Sequence, residues 1–369
     1  MKAPRSGVNR RDLLQLRKVA SGHSEAGERH ARLPENESSQ PTDLLRVHRP
    51  AMGSYFEIRL GVNIPGALAL ATRALDLIDE LEQQLTIYDD ESEVSQLNRA
   101  AHQRPVAVEP RLFDLLLLAC ALSERTGGAY DVTSGALSEA WGFVRGPKRV
   151  PDPEVLKLAR ERTGFRHLRL DHEAKTIQFD REGLRINLGS IGKGYAIDRA
   201  VDLIRDYWFP TSALIHGGQS SLYALGSPPG FFGGRWEVAV RNPLNPEHPL
   251  GVLRLRNRGL GTSGSAFQSF IVDGRVYGHL LDPRTGEPAE GPASVTVLAP
   301  SAADADALST AVYLLGVDAA RDFAAANPEL GILIVEAGSA DRPPRLRLFG
   351  LKPEDFLIDP NAVDLLSTS

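Results

Sequence analysis

Residues 54–60, SYFEIRL, decide how the folded part of the chain begins. The apolar Phe56, Ile58 and Leu60 alternate with polar side chains, which is the period of a β-strand with one buried face. Apolar residues then recur at three- and four-residue spacing between positions 68 and 85, and this spacing predicts a helix with one buried stripe. A strand followed at once by an amphipathic helix indicates a fold that mixes both element types.

Outward from this start, the pattern predicts more helices and many short strands. Helices are predicted after Pro110, after Pro153, over 193–205 and from Ser301, where Asp304 completes a capping box. Strand-like runs lie around 168–171, 176–179, 184–188, 213–216, 222–224, 236–240, 252–255, 270–272, 294–298 and 332–335. These runs cluster like hairpins and do not alternate one by one with helices. We therefore expect an α+β fold with largely antiparallel sheets and packed helices, forming a single compact catalytic unit.

Composition excludes several classes of protein. The chain has 369 residues, of which 42% are hydrophobic, and a formal net charge of -5 with both signs interspersed. A nucleic-acid-binding surface needs clustered Lys and Arg, so we expect no nucleic-acid partner. The single cysteine, Cys120, excludes an internal disulfide and a thiolate metal site. No stretch approaches the roughly 18 consecutive apolar residues of a transmembrane helix.

The chain divides into three parts. Residues 1–46 are rich in Arg, Glu, Ser, His and Gln, with few regularly spaced apolar residues, and are predicted to be a mobile N-terminal extension. The catalytic domain is expected over 47–352, followed by a C-terminal tail over 353–369.

The N-terminal arginines bear on where the protein acts. Arg10 and Arg11 resemble the start of a twin-arginine export signal. Gln15, Arg17 and Lys18 then stand where such a signal needs an apolar segment of roughly 7 to 15 residues. We therefore expect a cytoplasmic protein, with a periplasmic or membrane-associated one left open.

A glycine-rich junction lies at residues 186–195, INLGSIGKGY. A strand-to-helix junction of this kind can bring backbone amides and a helix N-terminus close to phosphate oxygens. It is not a Walker A loop, because Asn187 replaces the first Gly and Gly194 replaces the Ser or Thr that binds magnesium. The order of its glycines also differs from a Rossmann fingerprint. The alternative is a tight turn with a solvated Lys193.

Residues 277–286, YGHLLDPRTG, form a strand end and a turn. His279 and Leu281 share one face of that strand. His279 could serve as a general base, or it could be a hydrogen-bonded structural residue.

Residues 299–311 begin a helix, in which Asp306 and Thr310 are four residues apart and share a face. Their oxygens could bind a hard cation, and small Ala neighbours would let a bulky ligand approach. The alternative is a carboxylate favoured by the helix dipole and a Thr bonded to its own helix.

Taken in order, these segments resemble the ApbE family, the FAD:protein FMN transferases. The matching stretches are collinear and span about 52 to 316: residues 52–54, 85–88 through 95–98, 127–133 through 141–143, 189–198, 216–218, 262–264, 279–286 and 305–307 through 310–311. The resemblance implies an ApbE-like, T-fold-related α+β fold.

The resemblance also implies a reaction. The family takes FAD as substrate with Mg²⁺ as cofactor, releases AMP, and leaves FMN phosphoester-linked to a Ser or Thr of an acceptor protein. The site residues that it implies, carried over position by position, are Met52, Tyr88, Ala129, Tyr130, Asp131, Asn187, Lys193 and Leu280 for FAD; Ser190, Asp306 and Thr310 for the metal; and His279 and Asp282 for catalysis.

This sequence departs from the family pattern at three places. Asn187 stands where Asp is common, residues 219–221 are Gln-Ser-Ser where an acidic residue is common, and Ser265-Ala266 replaces an aromatic-containing step. Two alternatives therefore stay open, an FAD pyrophosphatase that releases FMN and AMP and a flavin-binding protein without turnover.

Residues 133–136, Thr-Ser-Gly-Ala, resemble the Ser/Thr-Gly-Ala type of sequence on which the family acts. We expect no self-modification there, because the stretch belongs to the motif that should wall the FAD pocket.

Overall fold

The fold is described from a computed structural model, which covers residues 44–209, 211–230, 233–264, 269–338 and 343–365. The strands are β1 Leu44–Ala51, β2 Ser54–Gly61, β3 Val106–Ala107, β4 Leu168–Asp171, β5 Thr176–Phe179, β6 Ala213–Gly217, β7 Ser221–Leu225, β8 Trp236–Val240, β9 Gly251–Leu255, β10 Arg258–Gly264, β11 Ser269–Val272, β12 Arg275–Gly278, β13 Ser294–Ala299, β14 Gly331–Glu336, β15 Arg345–Phe349 and β16 Phe356–Ile358.

The helices are α1 Ala67–Leu85, α2 Glu93–Ala100, α3 Pro110–Arg125, α4 Gly135–Ala140, α5 Pro153–Glu161, α6 Gly192–Arg205 and α7 Ala302–Ala326. Helix α7 is interrupted at Gly316, whose φ of 81° is not helical.

An eight-stranded sheet in the order β1-β2-β6-β7-β10-β13-β14-β15 is the centre of the fold. Every neighbouring pair in it is antiparallel. Alternate residues of its strands point to opposite faces, so the sheet has a core on each side. On one face Phe56, Ile58 and Ile215 pack with α1, α6 and α7. On the other, Leu214 and Leu260 pack with the three-stranded sheet β16-β9-β8.

Helices α6 and α7 meet closely because glycine occupies the contact points. A Cβ on Gly194 would lie 2.2 Å from the carbonyl oxygen of Ala302, and one on Gly261 would lie 2.3 Å from that of Ala305. Real Cβ atoms do not approach so near, so only glycine lets α6 and β10 reach the first turns of α7. This contact places the Asp306 turn beside the start of α6.

The α+β class and the antiparallel sheets are confirmed, and so are the helices and nearly all of the strand runs. The expected strand over 184–188 is wrong. Ile186 instead bonds to the side chain of Asn98. Its N–H donates to Asn98 Oδ1 at 2.7 Å, and its carbonyl accepts from Asn98 Nδ2 at 2.9 Å. Only one isolated bridge, Ser134 to Arg185, forms there among the described residues. The Asn98 side chain thus takes the place of a partner strand on one edge of this segment, and backbone bonds from Gly135 to Arg185 and from Asn187 to Val132 lie on the other.

The three-part division stays a prediction, and residues 1–43 lie outside the described part of the chain. Strand β1 starts at Leu44, just before the expected domain start at 47. The expected tail over 353–369 contains β16, which pairs with β9. None of the described helices is long and apolar enough to cross a membrane.

Candidate active site

Asp306 lies at the junction of α6 and α7 and is only 5% exposed. Its Oδ2 accepts the backbone N–H of Gly194 at 2.9 Å, and its Oδ1 accepts the hydroxyl of Ser221 at 2.5 Å. These bonds connect the first turn of α7 to the start of α6 and to the first residue of β7. They fix the carboxylate in one orientation and leave lone pairs for a further partner.

Thr310 lies one turn further along α7, as the four-residue spacing predicts. Its Oγ1 is 3.1 Å from the hydroxyl of Ser263 on β10, which is also 2.9 Å from the hydroxyl of Ser309. Strand β10 therefore positions the hydroxyl of Thr310, and the side chain keeps partial exposure.

The hydroxyl of Tyr130 is a buried polar group of the 129–131 stretch. Tyr130 is 1% exposed, and its hydroxyl has no hydrogen-bond partner among the described residues. Burial raises the pKa of this hydroxyl well above its ordinary value, while the nearby Ser190 side chain lowers it and Asp131 and Asp306 raise it further. This buried hydroxyl thus has Ser190 as a polar neighbour but makes no hydrogen bond of ordinary geometry. Such an atom costs stability unless a ligand or water binds it.

The donor set is all oxygen: one carboxylate from Asp306 and hydroxyls from Ser190, Thr310 and Tyr130. Among the described residues no three His, Cys, Asp or Glu side chains form a metal-binding cluster. A cation held by one carboxylate would need water and substrate oxygens for its remaining ligands. That coordination suits Mg²⁺, which keeps several waters and binds through one or two carboxylates and substrate phosphates. The residues present fit this ion.

The glycine-rich loop turns into α6 beside this centre. The side chain of Asn187 closes the turn, because its Oδ1 accepts the N–H of Gly189 at 2.9 Å. An Asp would make the same bond with a carboxylate oxygen, so the replacement keeps the turn and removes a charge. Lys193 is the second residue of α6 and half-buried. Gly194 follows it and donates its N–H to Asp306, so Lys193 adjoins in sequence the residue that contacts this candidate cation ligand.

The 129–131 stretch contributes mainly to the wall of the site. Ala129 is fully buried, and the carboxylate of Asp131 already has three bonds. Its Oδ1 accepts the backbone N–H of Thr133 at 2.8 Å and the Thr133 hydroxyl at 2.6 Å, and its Oδ2 accepts the N–H of Phe165 at 2.8 Å. Burial raises the pKa of Asp131, and these bonds oppose that rise. The carboxylate of Asp131 thus stabilises the backbone around Thr133 and Phe165. Its contact with FAD stays a prediction.

His279 follows directly after β12, and its ring lies edge-on to Phe143 with 6.5 Å between centroids. Asp282 accepts the Nε and terminal amino groups of Arg284 at 2.9 and 2.7 Å, and this contact raises the pKa of Arg284. Arg284 also donates to the carbonyl of Leu314 at 3.1 Å. The segment after His279 is therefore attached to α7, the helix that carries Asp306.

The backbone of Leu280 joins the same turn, since its carbonyl accepts the N–H of Ala289 at 2.8 Å. Met52 lies in the tight β1–β2 turn with a φ of 50°, beside Gly53. Tyr88 is 66% exposed, so its ring is open to a planar ligand. The FAD contacts of these three residues stay predictions.

Ser221 and Ser263 contact the candidate cation ligands, although the sequence did not single them out. Ser263 lies in the quoted 262–264 motif, and Ser221 lies in the segment noted for lacking an acidic residue. Their partners, Asp306 and Thr310, are 85 and 47 positions away in the chain. Short hydroxyl-rich segments carry no periodic signal, so only the three-dimensional packing identifies these two.

The model of the ApbE family matches residues 52–334. An FAD:protein FMN transferase from Klebsiella pneumoniae (strain 342) is 28% identical over 311 residues, covering 81% of this chain and 87% of that protein. An FAD:protein FMN transferase from Treponema pallidum (strain Nichols) is 32% identical over 282 residues, covering 72% and 77%.

Solved structures are similar over the same region. The ApbE protein from Thermotoga maritima has a TM-score of 0.75 at 30% identity, covering 81% of this chain and 97% of that one. The apo form of the Pseudomonas stutzeri flavinyl transferase ApbE has a TM-score of 0.73 at 28% identity, covering 84% and 98%. The family-model match includes every motif on which the resemblance was based.

Proposed function

This chain belongs to the ApbE family, and we propose that it transfers FMN from FAD to a Ser or Thr hydroxyl of an acceptor protein and releases AMP. The single observation that carries this proposal is the buried carboxylate of Asp306, which accepts the N–H of Gly194 in the first turn of α6. A pyrophosphate can bind at such a helix start.

The bond changes define what the site must do. The acceptor oxygen attacks the flavin-side phosphorus, the P–O–P bridge breaks, and AMP leaves with the bridging oxygen. The hydroxyl proton passes to a base. Little covalent chemistry falls to the protein, so positioning and charge stabilisation dominate the rate.

Asp306, Thr310 and Ser190 would hold the proposed Mg²⁺. When bound, this ion would neutralise charge on the pyrophosphate oxygens. Lys193 adds a positive charge at the N-terminal turn of α6, where the helix dipole also favours phosphate. The Tyr130 hydroxyl would donate to a phosphate oxygen or to a water of the ion, which would give this buried group its missing partner.

His279 is the proposed general base for the acceptor hydroxyl. Asp282 and Arg284 hold its segment against α7, so the proposed base and the proposed cation ligands are kept at a constant separation. Met52, Tyr88, the 129–131 wall, Asn187 and Leu280 are the proposed FAD contacts.

Intact-mass spectrometry tests the proposal. The purified chain is incubated with FAD, Mg²⁺ and a folded domain that carries a surface Ser/Thr-Gly-Ala segment. The acceptor should gain one FMN less one water, and AMP should appear in equal amount. A matched acceptor with Ala at the Ser or Thr should keep its mass. Free FMN and AMP without an adduct would instead identify an FAD pyrophosphatase, and unchanged FAD would identify a flavin-binding protein.

A further inference from the structure

We propose that Ser263 is a positioning residue for the cation site: it accepts a hydrogen bond from the hydroxyl of Thr310 and so leaves the lone pairs of that oxygen for the cation. This inference rests on the proposed function, in which Thr310 is a cation ligand. It adds a residue that does not contact the ion and acts through one that does.

Strand β10 brings Ser263 to α7. Gly259, Gly261 and Ser263 are alternate residues of this strand and therefore share one face. A Cβ on Gly259 would lie 2.4 Å from the carbonyl oxygen of Ser301, and one on Gly261 would lie 2.3 Å from that of Ala305. The strand and the helix thus meet backbone to backbone along this face, and Ser263 is the position at which a side chain of the face reaches α7.

Three hydroxyl groups meet at this point. The Oγ of Ser263 lies 2.9 Å from the Oγ of Ser309 and 3.1 Å from the Oγ1 of Thr310. The Oγ of Ser309 also lies 2.8 Å from the backbone carbonyl oxygen of Asp306. A carbonyl oxygen can only accept, so Ser309 donates its proton there. Each hydroxyl has a single proton, and that of Ser309 is therefore not available to Ser263.

The directions of the other two bonds follow from this one. Ser309 can only accept from Ser263, so Ser263 donates its own proton to Ser309. Ser263 can then only accept from Thr310. The hydroxyl proton of Thr310 therefore points towards β10, and both lone pairs of its oxygen remain for a ligand, since this oxygen makes no further hydrogen bond within the described ranges.

The usual alternative for a Thr in a helix is closed. Such a hydroxyl commonly donates to the carbonyl four residues earlier, which for Thr310 is that of Asp306. That oxygen has two lone pairs, of which the helical N–H takes one and the hydroxyl of Ser309 takes the other. Ser309 is only 1% exposed, so water does not compete for its place. Ser309 thus keeps Thr310 from bonding to its own helix, and Ser263 supplies the acceptor instead.

This order of bonds suits a cation ligand. A hydroxyl binds a cation through a lone pair, so its proton has to point away from the ion. The bonds from Thr310 to Ser263, from Ser263 to Ser309 and from Ser309 to the Asp306 carbonyl set that orientation before the ion binds. We call these three hydroxyls the serine relay. Residues that orient metal ligands typically contribute about 10- to 100-fold to metal affinity.

The test measures binding of Mn²⁺, in place of Mg²⁺, by electron paramagnetic resonance in the presence of FAD and without an acceptor. In Ser263→Ala the half-saturating Mn²⁺ concentration should rise about tenfold or more, because the proton of Thr310 loses its acceptor and can turn towards the ion. Wild-type affinity for Mn²⁺ in Ser263→Ala would overturn the inference.

Thr262→Val is the matched control. Thr262 is the neighbouring residue of β10 and points to the opposite face, where its hydroxyl lies 3.0 Å from that of Thr296. This variant also removes one half-buried hydroxyl from the strand, so urea denaturation should show a similar small loss of stability in both variants. Thr262→Val should nevertheless keep the wild-type affinity for Mn²⁺. An equal loss of affinity in the two variants would assign the effect to the general stability of β10 and contradict the relay.

A double-mutant cycle shows whether Ser263 acts through Thr310. Thr310→Val keeps the shape of the side chain and removes the ligand oxygen, so it should weaken Mn²⁺ binding by itself. Adding Ser263→Ala to it should change the affinity little further, because the bond that Ser263 accepts is already absent. A full additional loss would mean that Ser263 acts on another group, and the inference would be wrong.

The outcomes separate this inference from the proposed function. If wild type binds Mn²⁺ and modifies no acceptor, the proposed transfer fails and the relay stands on the binding data. If wild type transfers FMN and Ser263→Ala binds Mn²⁺ as wild type does, only the relay is overturned. If wild type binds no Mn²⁺ in the presence of FAD, the proposed cation site and the relay are both wrong.

Discussion

Asp198 and Asp306 are two carboxylates that cross the junction between α6 and α7 in opposite directions. Asp198, on α6, accepts the N–H groups of Ala302 and Ala303 at the start of α7, both at 2.8 Å. Asp306, on α7, accepts the N–H of Gly194 at the start of α6 at 2.9 Å. Each carboxylate thus supplies an acceptor to the other helix where backbone N–H groups lack partners within their own helix.

The two differ in what their remaining surroundings allow. Asp198 uses both oxygens on backbone amides and lines a cavity of about 310 Å³ together with Arg111 and Arg199. Asp306 uses one oxygen on an amide and the other on the hydroxyl of Ser221, and its charge raises the pKa of the buried Tyr130 hydroxyl. Asp198 therefore holds the two helices together, whereas Asp306 also faces the proposed chemistry.

The largest effect is expected from Asp306→Asn. Asn keeps an acceptor for Gly194 but loses the charge that the proposed cation requires, so transfer of FMN should fall by at least about 10²-fold. Asp304→Asn is the matched control, because Asp304 belongs to the Ser301 cap of the same helix, and it should keep nearly full activity. Rates come from the mass of the acceptor over time. A wild-type rate in Asp306→Asn at saturating FAD would remove Asp306 from the cation site.

Asp306→Ala carries a further cost. Residue 306 is nearly fully buried, so Ala at this position removes the acceptor of two groups in the interior. Leaving Gly194 and Ser221 without their acceptor should lower the free energy of unfolding by about 1 to 3 kcal/mol. Urea denaturation measures this loss, and the Asn variant should show less of it. Equal stability of wild type and both variants would contradict the bonds described at the junction.

His279→Ala should lower transfer by about 10² to 10⁴-fold, which is the usual contribution of a general base. The half-saturating FAD concentration should change far less, because the proposed role concerns the acceptor hydroxyl. A fall smaller than tenfold would mean that His279 only positions the turn that begins at Asp282. His279→Ala should therefore affect the proposed chemistry on the Asp306 side of the junction and leave the contacts of Asp198 unchanged.

Asp198→Asn should change the pH dependence of stability and leave transfer within about threefold of wild type. Desolvation raises the pKa of Asp198 from 3.8 to about 7, despite the two amides that favour its charged form. Between those values the folded protein holds a proton that the unfolded chain releases, so the free energy of unfolding should fall as pH rises from about 4 to about 7. Above pH 7 this contribution should be constant.

Denaturation at several pH values measures this slope, which Asp198→Asn should reduce. Asp202→Asn is the control, because Asp202 lies one turn further along α6 and pairs with Arg199 and Arg205 nearer the surface. It should keep the wild-type slope. An unaltered slope in Asp198→Asn would assign the titration to another group.

The smallest effect is expected at residues 133–136. Thr133 is fully buried; its hydroxyl donates to Asp131 and accepts the N–H of Gly164 at 2.7 Å. A hydroxyl held in this way cannot reach in-line geometry at phosphorus. The chain incubated with FAD and Mg²⁺ alone should therefore keep its mass. One FMN mapped to this peptide would show that the stretch leaves the wall of the site.

Sequence reasoning reached the fold class and most elements because periodicity is a local property. Helix α1 and strand β2 follow their predicted spacing closely, although Leu68 is 60% exposed and Leu70 is buried in its place. The run at 184–188 was apolar enough to predict a strand, but the partner of Ile186 in it is the side chain of Asn98, 88 positions away.

In the candidate site, too, local features could be predicted from the sequence and tertiary contacts could not. The i, i+4 pair of Asp306 and Thr310 was readable because both lie on one helix. The burial of Asp306 could not be predicted, because it depends on Gly194, 112 positions away. That contact is one that only glycine permits. The hydrogen bond from Arg284, which Asp282 also binds, to the carbonyl of Leu314 is likewise a tertiary contact. Motifs thus predicted candidate residues, and packing determines which of their oxygens remain for a ligand.

The central claim is that, of the two carboxylates at the junction, only Asp306 binds the cation. Binding of Mn²⁺, used as a spectroscopic substitute for Mg²⁺, can be titrated by electron paramagnetic resonance in the presence of FAD. Wild type and Asp198→Asn should bind the ion with the same affinity, and Asp306→Asn should bind it at least tenfold more weakly. Equal binding by Asp306→Asn and wild type, or an equal loss in Asp198→Asn, would contradict the account.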